Sequence, residues 1–490
     1  MNPTESVKID NMQKTDLFGT VETFFVQPYG KSLIIKGRPG AGKTTFALEF
    51  LERVMDRVPV CYLSSRFSDI SLYGTYPWLE SVSLKNLTDK LPDTLTNVST
   101  DSLKKLEKLI EEGKMGSDSY GLILNISDLL PEIRAIYSFV EVNQGNSPLI
   151  VIDSIESLSE KYDVNEQTLF SMLYSDLVER SGANLICILE AKENVKLEYF
   201  ADGVLSMDYM LEEGILIRKA TVEKLRGVSI GSTPVFFYSL ENGKCRAFSK
   251  ETITYPEGRF TKPVSLSKAL FEVPLTTSEF EKITPDKTPK VPLGTLIMLH
   301  RVGTSPAVDD ILNLMKNNLI KSAIIQDRGV MDVTSSSYET SRVMSNCLEP
   351  DSLKHYITAE KSKRSNSFVI NLEGKGILED FPNEVIDFFL SSSSRPHLYF
   401  FSYDFMRFTY GENFFGDLMN LANSIRTTGA IFLIVDDDSY SKISHYASFT
   451  IHFRDIGGYI FVNSNEKESY LSSVVYDSEG WPDLELHQVV

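Results

Sequence analysis

Apolar runs of four or five residues alternate with longer amphipathic stretches over residues 17–248. Residues 32–36 (SLIIK) read as a short buried strand, and a glycine-rich turn follows. Residues 44–57 (TTFALEFLERVMDR) place Phe46, Ala47, Phe50, Leu51 and Val54 near helical spacing. The next strand is 60–63 (VCYL). A long helical and loop region broken by Pro77, Pro92 and Pro131 comes after it. Residues 149–152 (LIVI) form a strand ending in Asp153, 166–179 a helix, and 184–189 (NLICIL) a further strand. Shorter β-rich pieces follow at 203–207, 215–219, 235–239 and 245–248. Strand–helix alternation of this kind predicts an α/β fold, a mostly parallel, doubly wound sheet with antiparallel strands added at one end.

Six prolines punctuate 251–292, which reads as a linker packing along a domain surface. Beyond it the order of the first half recurs. TLIML (295–299) answers to SLIIK, 307–318 to the first helix, and SAIIQ (322–326) to VCYL. HLYFFSYD (397–404) answers to LIVID, RTTGAIFLIVDD (426–437) to RSGANLICILE (180–190), and HYASFTIHF (445–453) to EYFADGVLSM (198–207). A repeat of half the chain points to two tandem domains of one fold, 1–250 and 293–490, rather than a solenoid.

The sharpest chemistry lies in Gly37-Arg38-Pro39-Gly40-Ala41-Gly42-Lys43-Thr44, followed by Thr45. This is GxxxxGKT between a predicted strand and a predicted helix, the setting in which such a loop curls its amides around phosphate. Lys43 can reach the β- and γ-phosphates and the Thr44 hydroxyl can hold Mg²⁺, so ATP and Mg²⁺ are the expected cofactors. Asp153, at the tip of a buried strand, is placed to hold the metal with Thr44, with Ser154 assisting; a helix cap is its alternative. Glu190 ends the neighbouring strand and either senses the γ-phosphate and orients water or is a solvated rim acid. Lys224-Leu225-Arg226-Gly227 falls between the last predicted strands, where a solvated loop competes with any role in binding.

Lys and Arg number 49 against 67 Asp and Glu, a formal net charge of −18. That balance argues against a general binder of nucleic-acid backbones. Cys61, Cys187, Cys245 and Cys347 form no CxxC pair, and two lie inside strand-like runs. No stretch is long and apolar enough to span a membrane, and the opening residues are polar, so a cytoplasmic protein is expected. His445 and His452 lack a third ligand at a metal-like spacing and read as structural.

Taken together, SLIIKGRPGAGKTTFALEFL, LIVIDS, GANLICILE, YFADGVLSM and VEKLRG resemble the KaiC-like branch of the RecA-superfamily ATPases. More narrowly, SLIIKG, ALEFL and YLSSR are similar to the archaeal gas-vesicle regulator GvpD family. The resemblance implies a RecA-type core, nucleotide at 37–45 and Asp153, and a ring or other homo-oligomer. It also implies that Lys224 and Arg226 reach a neighbour's γ-phosphate. Two departures matter. KaiC-like ATPases carry glutamate just after the strand that follows the first helix, whereas here Ser64-Ser65-Arg66-Phe67 stands, with no carboxylate before Asp69. Arg66 would be drawn to phosphate but cannot serve as a base. The second half has His300-Arg301-Val302-Gly303-Thr304-Ser305-Pro306 in place of a phosphate loop, so it reads as a degenerate RecA/KaiC-like domain. The clustered acids Asp404 and Asp436-Asp437-Asp438 there read as a solvated rim rather than a metal site.

The expectation is an ATP-binding switch with weak or slow hydrolysis, acting on a protein partner through inter-domain or inter-subunit contact. The competing reading is a RecA-type motor on nucleic acid or a protein filament, which needs a catalytic carboxylate and a basic groove.

Overall fold

The structure is a computed structural model that describes residues 16–64, 69–79, 131–190, 195–212, 214–230, 234–248, 253–256, 272–274, 279–288, 290–360, 369–382, 386–387, 391–464 and 468–489. The chain divides into two compact units, Met1–Ser249 and Lys250–Val489.

In the first unit the short apolar runs become strands β1 (Ser32–Gly37), β2 (Val60–Ser64), β3 (Leu149–Asp153), β4 (Asn184–Ile188) and β5 (Gly203–Glu212), all mutually parallel. β1, β3 and β4 are buried at every position, as expected of parallel strands covered on both faces by helices. Strands β6 (Ile215–Leu225), β7 (Val235–Ser239) and β8 (Arg246–Phe248) extend the sheet antiparallel. The order is β2-β3-β4-β1-β5-β6-β7-β8. Helix α1 (Leu17–Phe25) starts at an Asp16 cap that accepts from the Gly19 amide, 2.6 Å. Helix α2 (Lys43–Val54) lays Phe46, Phe50 and Leu51 on the sheet, and Phe18 of α1 stacks on Phe46 at 4.8 Å between ring centres.

The second unit contains β9 (Glu272–Pro274), β10 (Lys290–Pro292), β11 (Leu296–Val302), β12 (Arg328–Val333), β13 (Tyr356–Glu360), β14 (Val369–Asn371), β15 (Ser394–Ser402), β16 (Gly429–Asp436), β17 (Phe449–Ile456), β18 (Tyr459–Ser464), β19 (Ser469–Tyr476) and β20 (Pro482–Gln488). Its main sheet runs β14-β13-β12-β15-β16-β11-β17-β18-β19-β20. Substituting β12, β15, β16, β11 and β17–β20 for β2, β3, β4, β1 and β5–β8 reproduces the first order strand for strand, with two strands added outside β12. The parallel-to-antiparallel change falls at the same place in both sheets. The chain is therefore two tandem α/β domains of one architecture.

Two expectations fail. SAIIQ is not a strand: it lies in the last turns of the helix Pro306–Ile325 and the following loop, and the strand is β12. A five-residue apolar run fits a helix end as well as a strand, and here Leu319, Ile320, Ala323 and Ile324 continue the buried helical stripe. The proline-rich segment does not merely run along a surface. Phe280, Ile283 and Val291 are in the core of the second unit, and Lys282 donates to the Leu486 carbonyl, 2.8 Å.

Candidate functional site: the phosphate loop and its walls

The loop sits where β1 ends, between β4 and β5, at the carboxyl edge of the parallel strands, the usual crevice for ligands in such sheets. Gly37 is required by close approach: a Cβ there would lie 1.7 Å from the Met207 carbonyl oxygen. Gly42, at φ +84°, turns the chain into α2 and packs beneath Leu240. Ala41 is buried, and its carbonyl accepts from the Tyr238 hydroxyl. The Lys43 ammonium, largely buried, donates to the carbonyls of Gly37 (2.6 Å) and Arg38 (3.1 Å). Arg38 pairs with Asp208 at 3.0 Å, and Arg218 donates to the Gly40 carbonyl, 3.0 Å. Arg38, Pro39 and Gly40 are exposed.

A cleft of about 360 Å³ opens over this loop, lined by Gly40, Gly42, Lys43, Thr44 and Thr45 and walled by Asp153, Glu190, Tyr76 and Leu240. Thr44 Oγ1 donates to Asp153 Oδ2 at 2.6 Å, and the Tyr62 hydroxyl donates to the same oxygen at 3.1 Å. Burial and the Asp153 carboxylate push the Tyr62 phenol far up, so it stays a donor. A hydroxyl and a carboxylate side by side suit Mg²⁺, which takes one or two protein oxygens and completes its shell with phosphate and water. Among the described residues no cluster of three or more metal-binding side chains occurs.

Ser154, not Asp153, caps the helix Ile155–Tyr162, which leaves the carboxylate turned toward Thr44. Glu190 lines the same cleft; its Oε1 accepts from Ser154 Oγ at 2.8 Å and its amide donates to Glu156 Oε1 at 2.7 Å. Glu190 is thus a half-buried acid whose carboxylate is held by Ser154.

Lys224 and Arg226 are not brought to this cleft within the chain. Lys224 is the penultimate residue of β6, not part of an exposed connection, and lies opposite Val204, whereas the loop leaves β1 opposite Met207. Its ammonium donates to the carbonyls of Glu198, Tyr199 and Ala201 at the end of the helix Val195–Phe200. Burial and the nearby Arg226 lower its pKa. Arg226 donates to the Tyr199 carbonyl, 3.3 Å, and pairs with Asp202 at 3.6 Å. Arg66 lies outside the described residues. Tyr62, Tyr76, Tyr238 and Leu240 escaped the sequence reading, because an aromatic or leucine in a strand or loop carries no local mark of a ligand wall.

The second unit has lost both halves of this chemistry. Ser402 at the end of β15 caps the helix Tyr403–Tyr410 as Ser154 caps the helix after β3, so the residue before the cap is Phe401 where the first unit has Asp153. Arg301 pairs with Asp309 (3.1 Å) and Asp404 (2.8 Å). Asp437 accepts from the Gly303 amide, 2.8 Å, and bonds His300 Nε2, 2.9 Å; His300 Nδ1 meets His452 Nδ1 at 2.8 Å. Of the expected rim acids, Asp437 and Asp438 are exposed, Asp404 and Asp437 also tie the replacement loop down, and Asp436 caps the helix Asp437–Ile443.

Comparison with known proteins agrees with this division. A family model described as GvpD gas vesicle protein, P-loop domain, matches residues 21–223, and one described as GvpD basic region 2 matches 299–490. The chain belongs to the GvpD family. GvpD2 of Halobacterium salinarum is 24% identical over 264 residues, covering 51% of this chain and 49% of the relative. GvpD1 of the same organism is 25% identical over 262 residues, covering 51% and 44%. The matched region thus spans about half the length of these curated relatives. A solved KaiC-like protein, PH0186 of Pyrococcus horikoshii OT3, is 21% identical, with a TM-score of 0.32, covering 45% of this chain and 90% of that one. The segment matching the GvpD basic region is here acidic, its Asp and Glu outnumbering its Lys and Arg.

Proposed function

We propose that this GvpD-family chain is a nucleotide-dependent regulatory protein that binds Mg·ATP in its first unit and signals that state to a protein partner. The observation that carries the reading is the Thr44–Asp153 contact of 2.6 Å beside an intact amide curl. That pair would hold the metal, whose chemistry is to neutralise the terminal phosphates and polarise them. Lys43 would leave the loop carbonyls for the phosphate oxygens, and Glu190, held by Ser154, would face the terminal phosphate and position water. The lack of a carboxylate between the β2 end and Asp69 supports slow rather than absent turnover, since positioning and charge supply most of phosphoryl-transfer catalysis. Lys224 and Arg226 would act on a neighbouring chain's nucleotide, because neither reaches its own. The second unit, stripped of phosphate and metal ligands, would serve as the relay or docking surface.

The test is nucleotide affinity and steady-state turnover of wild type, Lys43→Ala and Arg66→Ala. ATP binding lost in Lys43→Ala, weakened in Arg66→Ala, and accompanied by turnover below about 1 s⁻¹ is the expected result. Unchanged affinity in Lys43→Ala would sink the reading. Faster turnover with salt-sensitive nucleic-acid binding would replace the switch by a motor.

A further inference from the structure

Lys224 and Arg226 lean on one short stretch of their own chain. Lys224 donates to the carbonyls of Glu198, Tyr199 and Ala201, and Arg226 to the Tyr199 carbonyl while pairing with Asp202. Cations suit that place, because the carbonyls that close a helix carry the negative end of its dipole. The stretch is in turn pinned to β1 at two points. At the start of the strand, Asp202 Oδ2 accepts from the Ser32 amide and hydroxyl, each at 3.1 Å, and the Asp202 amide donates to Ser32 Oγ at 3.0 Å. At the other end stands Lys36.

Lys36 immediately precedes the Gly37 that opens the phosphate loop, yet its side chain lies on the opposite face of the sheet from α2. Ile35 packs with Phe46 and Phe50 of α2, whereas Ile34 packs with Leu197 and Ala201. Side chains alternate along a strand, so Lys36 shares the face of Ile34. There its ammonium, with the side chain 7% exposed, pairs with Glu198 at 3.0 Å and Glu223 at 2.8 Å. Burial opposes the charge, but the two carboxylates outweigh it and raise the pKa, so the group stays cationic.

The two acids are not arbitrary partners. Glu198 supplies one of the carbonyls that hold Lys224, and Glu223 is the residue before Lys224 on β6. One ammonium therefore joins the helix end that Lys224 bonds to the strand on which Lys224 stands. Without it, two like charges would face each other across that joint and push it open. We propose that Lys36 is a positioning residue for the neighbour's nucleotide: it clamps Glu198 to Glu223 and so sets Lys224 and Arg226 for action on another copy, without serving the phosphate loop it adjoins. This rests on the reading that those two cations act on a neighbouring chain.

The experiment mixes variants of the full chain and reads steady-state turnover at saturating Mg·ATP, with ATP affinity alongside. Lys36→Met should leave ATP affinity unchanged and lower turnover by about tenfold or more, as misplacement of acting groups does. Lys36→Arg, whose guanidinium can bridge both carboxylates, should keep most of the turnover. Lys43→Ala carries sound cations and a dead loop; Lys36→Met carries a sound loop and misplaced cations. An equimolar mixture of the two should recover about a quarter of wild-type turnover, the share of random contacts that bring the sound halves together. Damage to the fold, or to the loop of the same chain, cannot be repaired by mixing. Glu223→Gln should complement Lys43→Ala in the same way, and it carries the test if Lys36→Met does not fold. Wild-type turnover in Lys36→Met overturns the proposal, as does loss of ATP affinity in both Lys36→Met and Glu223→Gln. Lys224→Ala mixed with Lys43→Ala is the control. Recovery in the control but in neither of the other mixtures removes the role of Lys36 and leaves action on the neighbour standing. No recovery in the control removes both, and so does a wild type that turns over no ATP.

Discussion

His397, at the start of the parallel part of β15, is a histidine whose charge the fold has settled. Burial first, then the charges of Arg395 and Arg328 and the proximity of His355, bring its pKa down to about 4. Its Nδ1 accepts from the Gly329 amide at 3.2 Å, which only an unprotonated nitrogen can do. The unfolded chain takes up this proton near the ordinary value of about 6.5, the folded chain not until pH is far lower. Stability from this group is therefore complete above about pH 6.5 and is lost as pH falls toward 4, by about 2 kcal/mol at pH 5. Denaturant midpoints of the second unit should drop between pH 7 and pH 5, and the drop should be smaller by that amount in His397→Gln. Coincident profiles for the two proteins would show that the imidazole is not held neutral.

At the scale of the element, what the sequence made plain was what is written locally. A strand, a glycine-rich curl and an amphipathic helix could be read in GRPGAGKTTFALEF because each residue's role depends on its immediate neighbours. The register of the second unit could not be read that way. The match of LIVID to HLYFFSYD was correct for the strand, yet only the helix that follows shows Ser402 to be a cap like Ser154 and Asp404 to lie inside that helix rather than at the strand tip. Lys224 escaped for a similar reason: whether β6 stops before it or runs through it depends on β5, which it pairs with as far as Leu225. The loop's glycines also differ in what they do. Gly37→Ala drives a Cβ into the Met207 carbonyl and should abolish ATP affinity, as read by calorimetry. Gly40→Ala meets open space and bears only the strain of φ +78°, about 1–2 kcal/mol. Equal losses in the two variants would refute the assignment of close approach at Gly37.

For the molecule as a whole, tandem architecture was legible as an order of elements, and the structure adds that each unit has cores of its own. Residues of α1, α2 and β1–β8 supply two hydrophobic clusters of the first unit, while Phe280, Leu299, Phe400, Phe432 and Trp481 belong to the core of the second. A ligand of the first unit should then stabilise one part of the chain selectively. At a hundred times its dissociation constant, Mg·ATP should add about 2.7 kcal/mol to the unfolding transition of the first unit and leave that of the second in place. Differential scanning calorimetry of wild type and Lys43→Ala separates the two: no shift in wild type, or an equal shift in both transitions, contradicts the assignment.

The brace from Tyr238 to the Ala41 carbonyl has a consequence for how such a protein can change. The curl that would hold phosphate is steadied by β7, a strand in the antiparallel extension, well away from the GxxxxGKT signature in sequence. Inheritance can therefore loosen or tighten the grip through residues that no signature scan would flag. A lineage could silence its binding site, or sharpen it, while every hallmark residue stayed in place.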